Sequence, residues 1–419
     1  MKTMDKEQSE KKHNSLTTLI ILAVILCVSV GMELWVIHRV QSSSEPEVLI
    51  TDKDQQERDV TPIIASMHDR ATTVAKEYQE LFSNYYGQAE ALLQSMTLNE
   101  KIGQLFLVRL HDDGVMEEIK NDHPGGYILF GKDFANETKG SILEKLQRLQ
   151  NASKLGLILA VDEEGGSVVR VSAYPEFRAD RFASPRTIYD SGQLPAILTD
   201  SAEKSALLKS IGLNMNLAPV ADISIDPMAF MYDRSLGQDA QTTAAYVSQL
   251  IRAMNDDGMI SVMKHFPGYG DNADTHTGIA VDERSYETFQ TADFLPFISG
   301  IQADAPCILV SHTIVTSMDP NHPASLSKQV HNILRENLHF SGIIMTDDLN
   351  MDAVKTYVDN GEAAVQAILA GNDMIITSDF QANKKEILNA VNEGRISEAQ
   401  IDQAVKRLLA WKYSYHIIE

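Results

Sequence analysis

Two acidic residues and one histidine have the side-chain types that cleavage of an acetal requires. Asp347 ends a short apolar segment, and Asp274 and His276 lie two positions apart in the glycine-rich stretch 264–278. Acetal cleavage passes through an oxocarbenium-like transition state, which needs a negative group beneath it and a proton for the leaving oxygen. Residues i and i+2 of an extended segment point the same way, so Asp274 can hydrogen-bond His276 and prepare its imidazole for proton transfer. Asp347 is placed to act as the nucleophile.

A metal site in the same stretch is an alternative use of these residues. Its ligands would be His265, Asp271, Asp274 and His276. We expect neither a metal nor another cofactor, because Lys264 would place a positive charge beside the ion. Arg170 and Arg234 fit better as hydrogen-bond donors to a polar ligand.

The elements that must position these residues follow from eight apolar runs separated by helix-like segments. The runs cover 103–110, 125–130, 156–162, 212–220, 258–266, 306–312, 342–348 and 372–377. They are continuous rather than alternating, which is typical of strands buried on both faces of a parallel sheet. Helices are predicted at 138–152, 239–257, 286–302, 327–338 and 381–393, and a Thr97/Glu100 capping box begins the first helix of the domain. The pattern predicts an α/β fold, a (β/α)8 TIM-like barrel over 95–419.

Polar residues close or follow most of these runs. They are Asp162, Asp222, Lys264, His265, His312, Asp347 and Asp348. Active sites of such barrels lie at the carboxyl ends of the strands. We therefore expect these side chains to gather at one rim.

The N-terminal region contains one candidate membrane span. Residues 16–32 carry no charge, and the apolar character continues to Ile37, which together is about the length that crosses a bilayer. Lysines precede the span and only Arg39 follows it closely, so the sequence predicts a cytoplasmic tail (1–15), a single-pass signal-anchor (16–37) and an extracellular catalytic domain. A cleaved signal peptide, which would make the protein secreted, is the alternative; no Ala-x-Ala site follows the run.

Residues 38–94 are predicted to form a linker and a stalk helix. The stretch 41–60 is polar, and from residue 62 apolar residues recur at spacings of four and three. Packing of this helix on the following domain is an equal alternative to a dimerising stalk. The sequence does not indicate an oligomeric state.

Composition excludes several classes of protein. The chain has 419 residues, with 36 Lys and Arg against 58 Asp and Glu, a net charge of −22. Such a charge repels polyanions, so we expect no nucleic acid partner. The apolar content of 44% excludes a disordered chain, and two cysteines, Cys27 and Cys307, exclude a disulfide-stapled scaffold.

Four segments resemble one known family. AVDEEGGSVVR (160–170), KHFPGYGDNADTH (264–276), PASLS (323–327) and IIMTDDLNM (343–351) are similar to segments of family 3 glycoside hydrolases, specifically the bacterial β-N-acetylhexosaminidase branch of the short, single-domain type. The resemblance spans roughly 95–415 and includes both specific motifs in the right order.

The resemblance implies a retaining double displacement. Asp347 would attack the anomeric carbon, and His276, oriented by Asp274, would protonate the leaving group and then activate water. By match to the family, the residues that would hold the sugar are Asp162, Arg170, Arg234, Lys264 and His265. Asp348 would support the site from behind.

The implied substrate is a carbohydrate carrying terminal β-linked N-acetylglucosamine, and membrane anchoring points to peptidoglycan or its fragments. Ser167 and Tyr269 depart from the residues common in relatives, which leaves substrate length and leaving-group preference open. A β-glucosidase, a phosphorylase of the same fold and a non-catalytic surface glycan-binding protein are the alternatives. The Asp274–His276 pair disfavours the first, and the presence of Asp347 with that pair disfavours the last.

Overall fold

The computed structural model describes residues 80–270, 278, 280–358 and 362–419. The predicted tail (1–15) and anchor (16–37), and most of the predicted linker and stalk (38–94), lie outside these residues. Asp274 and His276 lie outside them as well. Among the described helices, none combines the length and the apolar character needed to span a membrane.

In the described part of the chain, eight parallel strands form one sheet that curves into a nearly closed barrel. The strands are β1 (Phe106–Arg109), β2 (Gly126–Leu129), β3 (Ile158–Val161), β4 (Met215–Asn216), β5 (Ile260–Phe266), β7 (Cys307–Val310), β9 (Ile343–Thr346) and β10 (Ile375–Thr377). Their order around the sheet is β10-β1-β2-β3-β4-β5-β7-β9. A bridge between Met345 and Met374 joins its two ends. The predicted (β/α)8 barrel is thus confirmed.

Two further strands, β6 (Val281–Asp282) and β8 (Ile314–Val315), pair in parallel outside the barrel.

Within the barrel, β1 pairs in parallel with a strand on each side. Leu107 lies opposite Gly126, and Phe106 lies opposite Ile375 on the other side of β1. Because all eight strands are parallel, their carboxyl ends lie at the same edge of the barrel.

Helices surround the barrel. They are α1 (Tyr86–Leu93), α2 (Leu98–Gln104), α3 (Val115–Asp122), α4 (Lys139–Ala152), α5 (Pro185–Ser210), α6 (Ala240–Asp256), α7 (Tyr286–Thr288), α8 (Phe294–Ile301), α9 (Lys328–Asn332), α10 (Asp352–Tyr357), α11 (Glu362–Ala370), α12 (Phe380–Asn392) and α13 (Glu398–Ser414). π-helical turns at Phe289–Asp293 and Ile333–Asn337 continue α7 and α9. Side-chain caps fix where many of them begin, as the predicted Thr97/Glu100 capping box does for α2.

Side chains alternate along the strands between the helices and the barrel interior. On β1, Phe106 faces outward and packs edge-on against Phe380 of α12, with ring centroids 5.1 Å apart. On β2, the Tyr127 hydroxyl donates to Glu118 of α3 at 2.8 Å and so also faces outward. Alternation then turns the strand-end residues Arg109 and Phe130 toward the mouth of the barrel.

The chain that precedes the barrel packs on it. Phe82, Ala89 and Leu93, from the end of the predicted stalk region, are buried in the same hydrophobic core as the barrel helices. Glu90 of α1 also forms an ion pair of 2.8 Å with Lys406 of α13. Residues 80–94 therefore contribute apolar surface to the core of the catalytic domain.

Candidate active site

The carboxyl ends of the barrel strands bring the predicted polar residues to one rim. Asp162 follows β3, Lys264 and His265 lie near the end of β5, and Asp347 follows β9. These strands share one edge of the sheet, so side chains distant in sequence become neighbours. Direct contacts join several of them.

Lys264 lies between two carboxylates at the rim. Its Nζ is 2.7 Å from Oδ1 of Asp162 and 2.7 Å from Oε1 of Glu164. The Lys264 side chain is buried, and burial by itself would lower the pKa of its ammonium. The two carboxylates outweigh burial and raise this pKa, so Lys264 is held as a cation.

Glu164 also receives the guanidinium of Arg234. Nε and Nη2 of Arg234 donate to the two Glu164 oxygens at 2.9 and 2.7 Å, the two-pronged geometry that suits a carboxylate. Burial would raise the pKa of Glu164, but the cations of Arg234 and Lys264 lower it well below its usual range. Glu164 is therefore an anion that fixes two buried cations beside the site.

His265 is held from behind by Asp222. Its Nδ1 is 2.7 Å from Oδ2 of Asp222, and its backbone N–H donates to the same oxygen at 3.0 Å. Arg234 Nη2 lies 3.3 Å from the other ring nitrogen, Nε2. This network assigns a proton to Nδ1 and makes Nε2 an acceptor.

Arg170 is positioned through its backbone. The buried Glu163 carboxylate accepts the backbone N–H groups of Arg170, Val171 and Ser172 at 2.7, 2.8 and 3.2 Å. This fixes the loop after β3, and Nη2 of Arg170 lies 3.9 Å from Oδ2 of Asp162. Arg170 thus reaches the same carboxylate that Lys264 binds.

Asp347 is anchored at the end of β9 by its main chain. Its N–H donates to the carbonyl of Val310 on β7 at 3.1 Å, and its Oδ1 accepts the N–H of Asp348 at 2.9 Å. The side chain is only partly buried. A carboxylate held in this way at the mouth is suited to attack a bound sugar.

Asp348 faces a different environment. Burial raises the pKa of its carboxyl, the N–H of Asn350 opposes the rise, and the nearby Asp347 charge adds to it. The carbonyl of Asp348 accepts from Nε2 of His312 at 3.0 Å, and Nδ1 of His312 lies 2.7 Å from the Ser325 hydroxyl. Asp348 and His312 therefore support the main chain beside Asp347.

The two positions that depart from the family pattern lie in contrasting surroundings. Ser167 is exposed in the loop that leads to Arg170. Tyr269 is buried, and its ring centroid lies 5.5 Å from that of His265. Its backbone N–H donates to Oδ1 of Asp222 at 2.7 Å. Tyr269 therefore contacts both His265 and the carboxylate that holds His265 in place.

The structure brings together Asp162, Lys264, Arg234 and His265, with Arg170 beside Asp162. Asp274 and His276 are outside the described residues. Among those residues, no cluster of His, Cys, Asp or Glu is arranged to hold a metal ion.

Neither the bridging role of Glu164 nor the way Glu163 fixes its loop could be predicted from the sequence. Three consecutive acids follow β3, but the sequence does not reveal which neighbour each one faces. Arg109 and Phe130 were also missed, although the same strand-end rule would have found them. The guanidinium carbon of Arg109 lies 4.4 Å from the Phe130 ring centroid.

Comparison with known proteins identifies the family. The model of the glycosyl hydrolase family 3 N-terminal domain matches residues 97–411. A beta-hexosaminidase from Idiomarina loihiensis is 33% identical over 299 residues, which cover 68% of this chain and 84% of the relative. One from Nitrosomonas eutropha is 29% identical over 307 residues, covering 69% of this chain and 86% of the relative.

A solved structure agrees with these matches. It is a family 3 beta-N-acetylglucosaminidase from Paenibacillus sp., with a TM-score of 0.72 and 29% identity. The alignment covers 77% of this chain and 63% of that structure's chain. The predicted resemblance is confirmed: the chain belongs to glycosyl hydrolase family 3 and is a glycoside hydrolase of the β-hexosaminidase-like kind.

Proposed function

We propose that the protein is a retaining β-N-acetylhexosaminidase that removes terminal β-linked N-acetylglucosamine. One observation carries the proposal: the partly exposed Asp347 carboxylate stands at the end of β9, on the rim where ion pairs through Glu164 connect Asp162, Lys264 and Arg234. The first provides a nucleophile, and the second provides fixed polar groups around a sugar. The names of the relatives above support the choice of sugar.

In the proposed reaction, Asp347 attacks the anomeric carbon while the bond to the leaving oxygen breaks, which gives a covalent glycosyl-enzyme. His276, oriented by Asp274, gives its proton to the leaving oxygen. The same imidazole then takes a proton from water, whose oxygen displaces Asp347. Because His276 gives its proton as an imidazolium and becomes a neutral imidazole, the first step leaves no second anion beside Asp347.

In this reaction the sugar is held by Asp162, Arg170, Arg234, Lys264 and His265, as the family match implies. The ion pairs among these residues fix their side chains before the sugar binds. Lys264 and His265 are already fixed by Asp162, Glu164 and Asp222, so little reorganisation accompanies binding. Asp348 stays beside the nucleophile and, with its raised pKa, takes up a proton more readily than an ordinary carboxyl.

The activity test uses the full chain with an aryl β-N-acetylglucosaminide, with and without phosphate. We expect release of the phenol by the wild type and a loss of at least about 10³-fold in Asp347→Asn. The exposed Asp190 provides a matched control, and Asp190→Asn should retain full activity. Phosphate-dependent formation of a sugar 1-phosphate would assign a phosphorylase instead. If the folded wild type cleaves neither the aryl β-N-acetylglucosaminide nor an aryl β-glucoside, the result would favour a glycan-binding protein.

We also propose that residues 16–37 anchor the protein in the membrane with the catalytic domain outside, where peptidoglycan is the available glycan. The support is the length of the apolar run and the lysines that precede it. Protease added to intact cells should remove the catalytic domain. Protection of the domain until the cells are lysed would overturn this assignment.

A further inference from the structure

Arg109 is a half-buried cation whose guanidinium has no acceptor among the described residues. In the described part of the chain, no hydrogen bond or ion pair involves its guanidinium, and its Nε is buried without a partner. The other rim cations differ. Lys264 contacts two carboxylates and Arg234 binds both oxygens of Glu164. In a protein with 58 acidic residues, an unpaired arginine at this place needs another explanation.

The position of Arg109 is fixed by the fold. It is the last residue of β1, and because Phe106 faces the outer helix α12, Arg109 faces the barrel mouth. Its guanidinium lies over the Phe130 ring, 4.4 Å from the centroid. Stacking on an aromatic face holds a guanidinium in place and leaves its N–H edge available to an acceptor.

A second arginine lies near the same ring. The Arg170 guanidinium carbon is 5.6 Å from the Phe130 centroid, and the Arg170 Nε is also buried without a partner in the described residues. Arg170 extends toward Asp162, whereas the charge of Arg109 acts on Asp348, on the side of the nucleophile. Asp162 offsets the charge of Arg170, whereas in the described part of the chain no carboxylate forms an ion pair with Arg109.

We propose that Arg109 binds a carboxylate on the part of the substrate that leaves. This deepens the proposed function and rests on it, because terminal N-acetylglucosamine is uncharged and an anion on the substrate must therefore belong to the part attached to it. A planar carboxylate matches the two parallel N–H groups at the guanidinium edge. Arg109 is thus a specificity residue that selects acidic over neutral leaving sugars.

The test compares two matched disaccharides in which N-acetylglucosamine is β-linked to N-acetylmuramic acid, as the free acid or as its methyl ester. We expect the wild type to prefer the free acid in kcat/KM by about 10- to 100-fold, the value of a hydrogen bond to a charged group. Arg109→Gln should reduce this preference at least about tenfold, and Arg109→Lys should retain part of it. Arg148→Gln, on the exposed face of α4, controls for the change in net charge and should keep the wild-type preference.

An equal loss of both activities in Arg109→Gln, or a preference that persists, would overturn the inference. Inorganic phosphate separates a free anion from a substrate carboxylate. If phosphate inhibits the wild type on the methyl ester through Arg109 while the acid preference is independent of Arg109, the residue binds free anions and the inference is wrong.

Binding without turnover separates this inference from the proposed function. Calorimetry on full chains carrying Asp347→Asn, with and without Arg109→Gln, measures affinity for the two disaccharides. Weaker binding of the acid, relative to the ester, in the double variant supports the role of Arg109 even if the wild type releases no sugar. No difference between the two variants would contradict it.

Discussion

At the scale of single residues, Glu164 determines whether two cations can be buried beside the site. It bonds Lys264 at 2.7 Å and both prongs of Arg234, and it is itself buried. Among the described residues, removing the anion would leave Arg234 without a carboxylate partner and Lys264 with Asp162 only. A buried ion pair that loses one partner leaves an uncompensated charge, which is strongly destabilising.

We therefore predict that Glu164→Gln lowers the free energy of unfolding by about 3 kcal/mol or more. Denaturant unfolding of the full chain measures this, with activity recorded in parallel. Glu176→Gln is the matched control because Glu176 is exposed. Equal stability of the two variants would show that the Glu164 charge does not hold the site together.

Residue types at strand ends were enough to predict most of the rim. Asp162, Lys264 and His265 follow directly from the positions where apolar runs end, and the structure places them together. Their partners were harder to predict. Asp222 contacts His265 across 43 positions of sequence, and Glu164 contacts Arg234 across 70. Such pairs depend on which strands become neighbours and on how a loop turns its side chains.

At the scale of elements, one arginine joins both sides of the segment that carries the proposed acid and base. Arg284 Nη2 donates to the carbonyl of Gly268 at 3.1 Å, before that segment. After it, Arg284 binds Asp282 of β6, with the closest contact at 2.8 Å, and it also binds Asp293 at 3.0 Å. Gly268 lies so close to Asp293 that a Cβ there would stand 2.4 Å from Oδ1.

We predict that Arg284→Ala impairs proton delivery more than attack by Asp347. Its kcat/KM should fall at least about tenfold more on substrates with poorly acidic leaving groups than on activated aryl glycosides, which need little protonation. Measuring rates across a series of leaving-group pKa values tests this, with His276→Ala as the reference. Arg252→Ala, on the outer helix α6, is the control. An equal loss for every leaving group would mean that Arg284 only stabilises the fold.

Most elements of the barrel were predictable because each strand is a continuous apolar run. The strands in the structure are shorter than the predicted apolar runs. The difference is largest at 212–220, where only Met215 and Asn216 form a strand. The pattern gave no prediction for α5. That helix is interrupted at Gly192 and Gln193 and contains Pro195. Glycine and proline both disfavour a helix interior, so the sequence does not predict a regular helix there.

At the scale of the whole molecule, the amino-terminal side of the barrel contains a buried lysine. Lys412 of α13 is fully buried, and its Nζ donates to Oε1 of Gln104 at 2.7 Å and to the carbonyl of Gly156 at 2.9 Å. Burial lowers the pKa of Lys412 from 10.5 to about 7. In the unfolded chain the same ammonium keeps its ordinary pKa.

This difference makes the stability of the domain depend on pH. Between about pH 7 and 10.5 the unfolded chain binds one more proton at Lys412 than the native chain, so the free energy of unfolding rises with pH. We predict a contribution of up to about 1.4 kcal/mol per pH unit, which disappears in Lys412→Met. Urea unfolding across this pH range, with the exposed Lys385→Met as control, measures it. Parallel curves for wild type and Lys412→Met would contradict the prediction.

Composition and net charge were enough to exclude several classes of protein. The net charge of −22 gave reason to expect no nucleic acid partner, yet it could not show that two arginines meet at the barrel mouth, one of them without an ion-pair partner among the described residues. That feature arises only when β1, β2 and the loop after β3 bring Arg109 and Arg170 to one ring. Local charge at the site, rather than the total, governs which glycan can bind.

Trapping the glycosyl-enzyme intermediate shows directly whether Asp347 is the nucleophile. The full chain is treated with 5-fluoro-N-acetylglucosaminyl fluoride, digested, and mapped by mass spectrometry. We predict one fluorosugar on the peptide that contains Asp347, present in the wild type and in Asp348→Asn and absent in Asp347→Asn. A sugar attached to Asp348, or an active wild type that accumulates no adduct, would contradict it.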